Sequence, residues 1–215
     1  MKGLLLNQYY SVRKSIVNYL LLSVVITVII LFTQNQMMLE FAALLPMIFM
    51  VIPAFEVLKH ESKSGWNKFV LTLPLKRSHI VQSHYIFFSM MMVIGLLVTI
   101  VLFVIFELIL GNTLTDQSVY SIMSGVGIVL ILGFFTYPLT YHFGTEKSDM
   151  VLFFGIIAAI AIFYLSSLWY SMIITDTIQG INHDLVYSIS FVAITLVLFI
   201  VAYVITLKVY KRKEF

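Results

Sequence analysis

The chain contains no cysteine. Disulfides, thiol catalysis and cysteine-bound metals are therefore excluded. Charge is scarce as well. Asp, Glu, Lys and Arg make up 11% of the 215 residues, against about 25% in soluble domains. No G-x-x-x-x-G-K-[ST] run occurs, so the chain lacks that phosphate-cradling loop. G-x-S-x-G, H-E-x-x-H and paired mid-span aspartates are missing too, which leaves no protease or transferase pattern. Of the histidines, His60, His79 and His84 share one connection but none has H-x-x-x-H spacing. His142 and His183 belong to other connections, so no metal site is expected. The net charge of +3 is small in sum and does not read as nucleic-acid binding.

What the chain has is apolar length. Hydrophobic residues make up 61% of it. Apolar runs lie near residues 15–33, 38–57, 86–110, 119–141, 150–173 and 187–207. Each is long enough to cross hydrocarbon as a helix, which takes roughly 20 residues. The fold class expected is an all-α polytopic membrane protein with six transmembrane helices, a single domain over 1–215. The runs and their short connections leave no room within it for a nucleotide-binding domain. The first apolar run, Leu4-Leu5-Leu6, is too short for a cleavable signal peptide.

The positive charges are sorted. Lys2, Arg13 and Lys14 precede the first span. Lys59, Lys63, Lys68, Lys76 and Arg77 follow the second, Lys147 follows the fourth, and Lys208, Lys211, Arg212 and Lys213 follow the sixth. The other three connections carry none. Cytoplasmic loops retain Lys and Arg, so both termini and these two connections are expected in the cytoplasm, with the chain in the cell membrane.

Several local expectations follow. Residues 1–14 read either as a helix in the membrane interface or as an extension of the first span. Thr33-Gln34-Asn35-Gln36 reads as a tight turn. Pro46 and Pro53 predict a kinked or interrupted second span. The third long helix is expected to start at Ser78, to bend at Gly95 and to close at Gly111-Asn112. Ser148 or Asp149 is a candidate cap for the fifth span. The loop 174–186, with Asp176 and Asp184, reads as a surface loop or a short re-entrant turn.

The segment 59–78 is the most informative. Trp66, Phe69, Val70 and Leu73 fall at i, i+3, i+4 and i+7, one helical face. Ser64, Lys68 and Thr72 lie largely opposite, and Pro74 ends the helix. Two readings fit: an anchor lying on the membrane surface, or a docking helix for a cytoplasmic partner.

The run Glu61…Gly65-Trp66-Asn67-Lys68…Leu73-Pro74-Leu75-Lys76-Arg77-Ser78-His79-Ile80-Val81 resembles the E…gW…yLLtLPvsRkeIV pattern of small ABC-2-type transporter permeases. Phe69 stands at that pattern's Tyr and His79 at its acidic position. The opening MKGLLLNQYY resembles the family's start. Within the family the chain is similar to permeases of Gram-positive peptide exporters, such as those that export phenol-soluble modulins. The resemblance implies two paired permease chains, identical or different. Each docks a separately encoded ABC ATPase that carries ATP and Mg, and no cofactor belongs to the permease. It implies that Glu61, Trp66, Asn67, Lys68, Phe69, Leu73, Pro74, Lys76 and Arg77 make or shape the ATPase contact. Export of amphipathic peptides or other membrane-active molecules is the implied function.

Glu40 and Glu107 are expected at the outer ends of spans two and three. They read as solvated interface groups or as the outer mouth of a pathway. Glu56 is expected to pair with Lys59 at i+3. Met47, Met50 and Met90-Met91-Met92 read as bundle packing or as adaptable lining. Two alternatives stay open: an immunity module that sequesters a toxic peptide, and an ion-coupled carrier, against which the lack of a mid-span charge weighs.

Overall fold

The computed structural model describes residues 1–33, 35–111, 116–174 and 182–212. Every regular element among them is helical. In order these are α1 (Lys2–Phe32), α2 (Gln36–Lys63), α3 (Trp66–Phe69), α4 (Arg77–Leu110), α5 (Asp116–Phe143), α6 (Ser148–Ile174) and α7 (His183–Arg212). All but α3 are long and apolar enough to cross a membrane. A helix is what such sequence must form there, because it satisfies every backbone polar group within the segment.

α2 and α5 form the buried centre of the bundle. α1 and α4 pack on α2, α6 and α7 pack on α5, and α4 also touches α7. The α5–α7 seam is the most extensive. Small residues explain why α5 sits centrally: Ser118, Ser121, Ser124, Gly125 and Gly127 are all buried. Membrane helices approach most closely where side chains are small. A β-carbon at Gly127 would lie 2.4 Å from Cδ1 of Phe191 on α7.

The structure meets some of these expectations and departs from others. Residues 2–14 and the first span form one helix, with Leu4, Gln8 and Val12 buried one turn apart along it. α2 stays helical through Pro46 and Pro53. Thr99 of α4 donates to the Ala43 carbonyl at 3.3 Å, next to the carbonyl that Pro46 deprives of a helical donor. α4 starts at Arg77, not Ser78. Lys76 is its cap residue, with extended backbone, and the His79 N–H reaches the Lys76 carbonyl at 2.9 Å. α4 continues unbroken through Gly95 and is capped by Gly111, whose N–H donates to the Glu107 carbonyl at 2.8 Å. Its 34 residues give a length of about 51 Å. A 3-10 turn, Thr145–Lys147, leads directly into α6, so Ser148 is a buried helical residue rather than a cap. Met47, Met50 and Met91 pack in the core, whereas Met90 is exposed. Gln34, Asn112, Asp176 and Lys213, with most of the expected 174–186 loop, lie outside the described residues.

Cross-bundle contacts gather the basic segments at one end. Gln8 meets Ser83, Lys59 meets Asp149, and Arg77 donates to the Lys211 carbonyl at 3.1 Å. The start of α1, the α2–α4 and α5–α6 connections and the end of α7 thus share what we call the basic end.

Candidate functional site

The α2–α4 connection is built by three local constraints. Gly65 takes a left-handed conformation, φ +73°, which a residue with a β-carbon adopts only at a cost. That turn reverses the chain after Lys63. α3 is only one turn long, and Val70–Thr72 tighten into a 3-10 turn. Leu73 is extended, ψ 151°, because a residue before proline is pushed out of the helical region. The amphipathic helix expected through Leu73 therefore ends early.

Its apolar residues divide. Val70 is buried, and Trp66 and Leu73 are half-buried against the main core. Phe69 points the other way and is 54% exposed. The Trp66 and Phe69 rings lie 5.4 Å apart, so a partly anchored indole braces an exposed phenyl. Pro74, Lys76 and Arg77 are exposed at the exit from the segment. Asn67 and Lys68 are part of α3, and their side chains lie outside the described residues.

Glu61 is not on that surface. It is 8% exposed, and its Oε2 lies 3.3 Å from Nε2 of buried His84 on α4. The Gln8 amide donates to Ser83 Oγ at 2.9 Å and lies 3.4 Å from His84 Nδ1. The Tyr137 hydroxyl of α5 donates to the His84 carbonyl at 3.1 Å, and the Tyr141 ring stands edge-on to the imidazole at 6.2 Å. Four helices meet in this polar cluster.

The remaining carboxylates separate. Glu40 accepts a hydrogen bond from the Tyr164 hydroxyl at 3.3 Å and lines a small cavity with Ser121 and Ser124 of α5. Glu107 lies on α4, near its last turn. Glu56 does not pair with Lys59. It accepts from the Tyr19 hydroxyl at 3.0 Å, while Lys59 reaches across to Asp149 on α6. The tertiary partners are nearer than the i+3 neighbour. Among the described residues no three His, Asp or Glu side chains converge as metal ligands. Two apolar grooves open on the sides of the bundle. One of about 640 Å³ lies between α4 and α7, lined by Met90, Val93 and Phe199. One of about 360 Å³ lies between α5 and α6, with Lys147 at its rim.

Sequence reasoning missed Gln8, Ser83 and His84. In the sequence His84 reads only as a possible metal ligand. The signal available was Gln8 at four-residue spacing between Leu4 and Val12, a polar residue on an otherwise apolar helical stripe.

A family model described as ABC-2 family transporter protein matches residues 3–211. No curated protein matches the chain. The chain belongs to the ABC-2 transporter family. It is accordingly a multi-pass membrane permease subunit of an ABC transporter, a family that works with ABC ATPases.

Proposed function

We propose that this ABC-2 family chain exports amphipathic peptides or other membrane-active molecules across the cell membrane, with residues 59–78 coupling it to its ATPase. Two permease chains pair, the basic end faces the cytoplasm, and ATP with Mg is bound and hydrolysed on the ATPase subunits. The observation that carries the coupling role is the exposed Phe69 braced by Trp66 on a one-turn helix between two long helices. An exposed aromatic side chain held in place by a partly buried one is the kind of anchor that carries binding energy at a docking spot. Pro74 joins it to α4 through a short extended link, so displacement of the segment is passed to a helix about 51 Å long. The charge-poor surface of the bundle and its apolar side grooves suit a cargo entering from lipid.

The test is copurification. The tagged chain is extracted in mild detergent from its own host, and an ABC ATPase is expected with it. Phe69→Ala should weaken that association by at least about tenfold, the loss expected of an aromatic hot spot. Trp66→Ala combined with Phe69→Ala should abolish it. A double variant that retains the ATPase as well as wild type sinks the docking assignment.

A further inference from the structure

The polar cluster beneath the segment has an internal logic of hydrogen positions. Ser83 donates its hydroxyl hydrogen to the Ile80 carbonyl at 2.7 Å. Its oxygen therefore faces Gln8 as an acceptor. Gln8 must present its NH2 group, which lies 2.9 Å from Ser83 Oγ and 3.4 Å from His84 Nδ1. Nδ1 thus faces a donor group, and on the other side of the ring Nε2 lies 3.3 Å from the Glu61 carboxylate. The Gln8 Oε1, on the opposite side of the amide, has no hydrogen-bond partner among the described residues. Such an amide is oriented by its donors. The second nitrogen of a histidine is fixed by what the first one bonds.

The position of this chain of bonds matters. Glu61 lies two residues before α2 ends, and His84 lies two turns into α4. The 64–76 segment leaves and re-enters the bundle between them. Gln8 brings in α1, and the Tyr137 hydroxyl holds the His84 backbone from α5. Gln8, Ser83 and His84 are essentially closed to solvent, so breaking one bond leaves a buried polar group unpaired.

We propose that His84, set in its Nε2–H form by Gln8 and Ser83, is a positioning residue that fastens Glu61 and makes the 64–76 segment move as one body with α1 and α4. This rests on the coupling role proposed above. Val70, with half-buried Trp66 and Leu73, already seats the segment on the bundle, and the fastening adds the link through which its displacement reaches α1 and α4 together.

The experiment has two arms. In the purified chain with 15N-labelled histidine, NMR should show His84 with hydrogen on Nε2 and none on Nδ1. A ring carrying its hydrogen on Nδ1 overturns the proposal. In the permease–ATPase complex in lipid nanodiscs, trapping with MgATP and vanadate should alter hydrogen exchange in 64–76 and in the basic-end turns of α1 and α4. His84→Gln keeps a side-chain donor and should preserve all three responses. His84→Leu should keep the response in 64–76 and shrink that of α1 and α4 by about tenfold, within the usual span of coupling between sites. Undiminished propagation in His84→Leu overturns the proposal. If that variant does not accumulate folded, Gln8→Leu carries the same prediction. A wild-type chain that holds no ATPase overturns the coupling role and the lever with it, while the NMR arm still decides the ring assignment.

Discussion

Gly95 has no room for a side chain. A β-carbon there would sit 2.8 Å from the Met47 Cα and 3.0 Å from the Pro46 carbonyl oxygen, both backbone atoms. Backbone cannot swing aside as a flexible side chain can. Gly95→Ala should therefore destabilise the bundle by about 1–3 kcal/mol, seen as a lower Tm in detergent. Gly3, with nothing within 4 Å of its would-be β-carbon, is the control, and Gly3→Ala should shift stability by no more than about 0.5 kcal/mol. Equal Tm values for the two variants would show that the α2–α4 approach is looser than described. A glycine in span three was visible in the sequence, but its task was not. A glycine that bends a helix and one that admits a neighbour look the same until the neighbour is placed. Phe69 teaches the same lesson. Spacing put it on one face with Trp66, Val70 and Leu73, yet Pro74 shortened the helix and left Phe69 outside.

At the scale of elements, two polar contacts join α2 to other helices and differ in what their loss should cost. Lys59–Asp149 links α2 to α6, but Asp149's side chain is 73% exposed. Exposed pairs contribute about 0–1 kcal/mol, so Asp149→Asn should leave Tm nearly unchanged. Glu61–His84 links α2 to α4 with the imidazole 2% exposed. Removing one partner there leaves the other buried without its polar neighbour, at about 1–3 kcal/mol, so Glu61→Ala should lower Tm clearly. A larger loss from Asp149→Asn than from Glu61→Ala would reverse this ranking. The six long helices were legible because each needs an unbroken apolar run, and boundaries such as Arg77 fell within a residue of expectation. The pairing of helices was not. Lipid and bundle interior are both apolar, so hydropathy does not say which face turns inward. Gln8 with Ser83, 75 residues apart, and His84 with Glu61 come together only once α1, α2 and α4 have packed.

For the whole molecule the governing asymmetry is one of charge. The described Lys and Arg residues lie toward the end where α1 starts, α7 finishes and the 64–76 segment sits. At the other end Asn182 donates to the Asp116 carboxylate at 3.1 Å. Moving a lysine through the hydrocarbon centre costs about 3 kcal/mol or more. By the rule that cytoplasmic loops retain Lys and Arg, the basic end of such a chain should stay on the side of synthesis. The absence of cysteine makes the orientation directly measurable, since any introduced thiol is unique. Ser64 and Asn182 are both exposed and sit at opposite ends. With a membrane-impermeant maleimide on intact cells, Asn182→Cys should be labelled and Ser64→Cys should not. Inverted membrane vesicles should give the opposite pattern. Labelling of Ser64→Cys from outside intact cells would place the Trp66–Phe69 anchor where no cytoplasmic ATPase can reach it, and the permease would need another way to be driven.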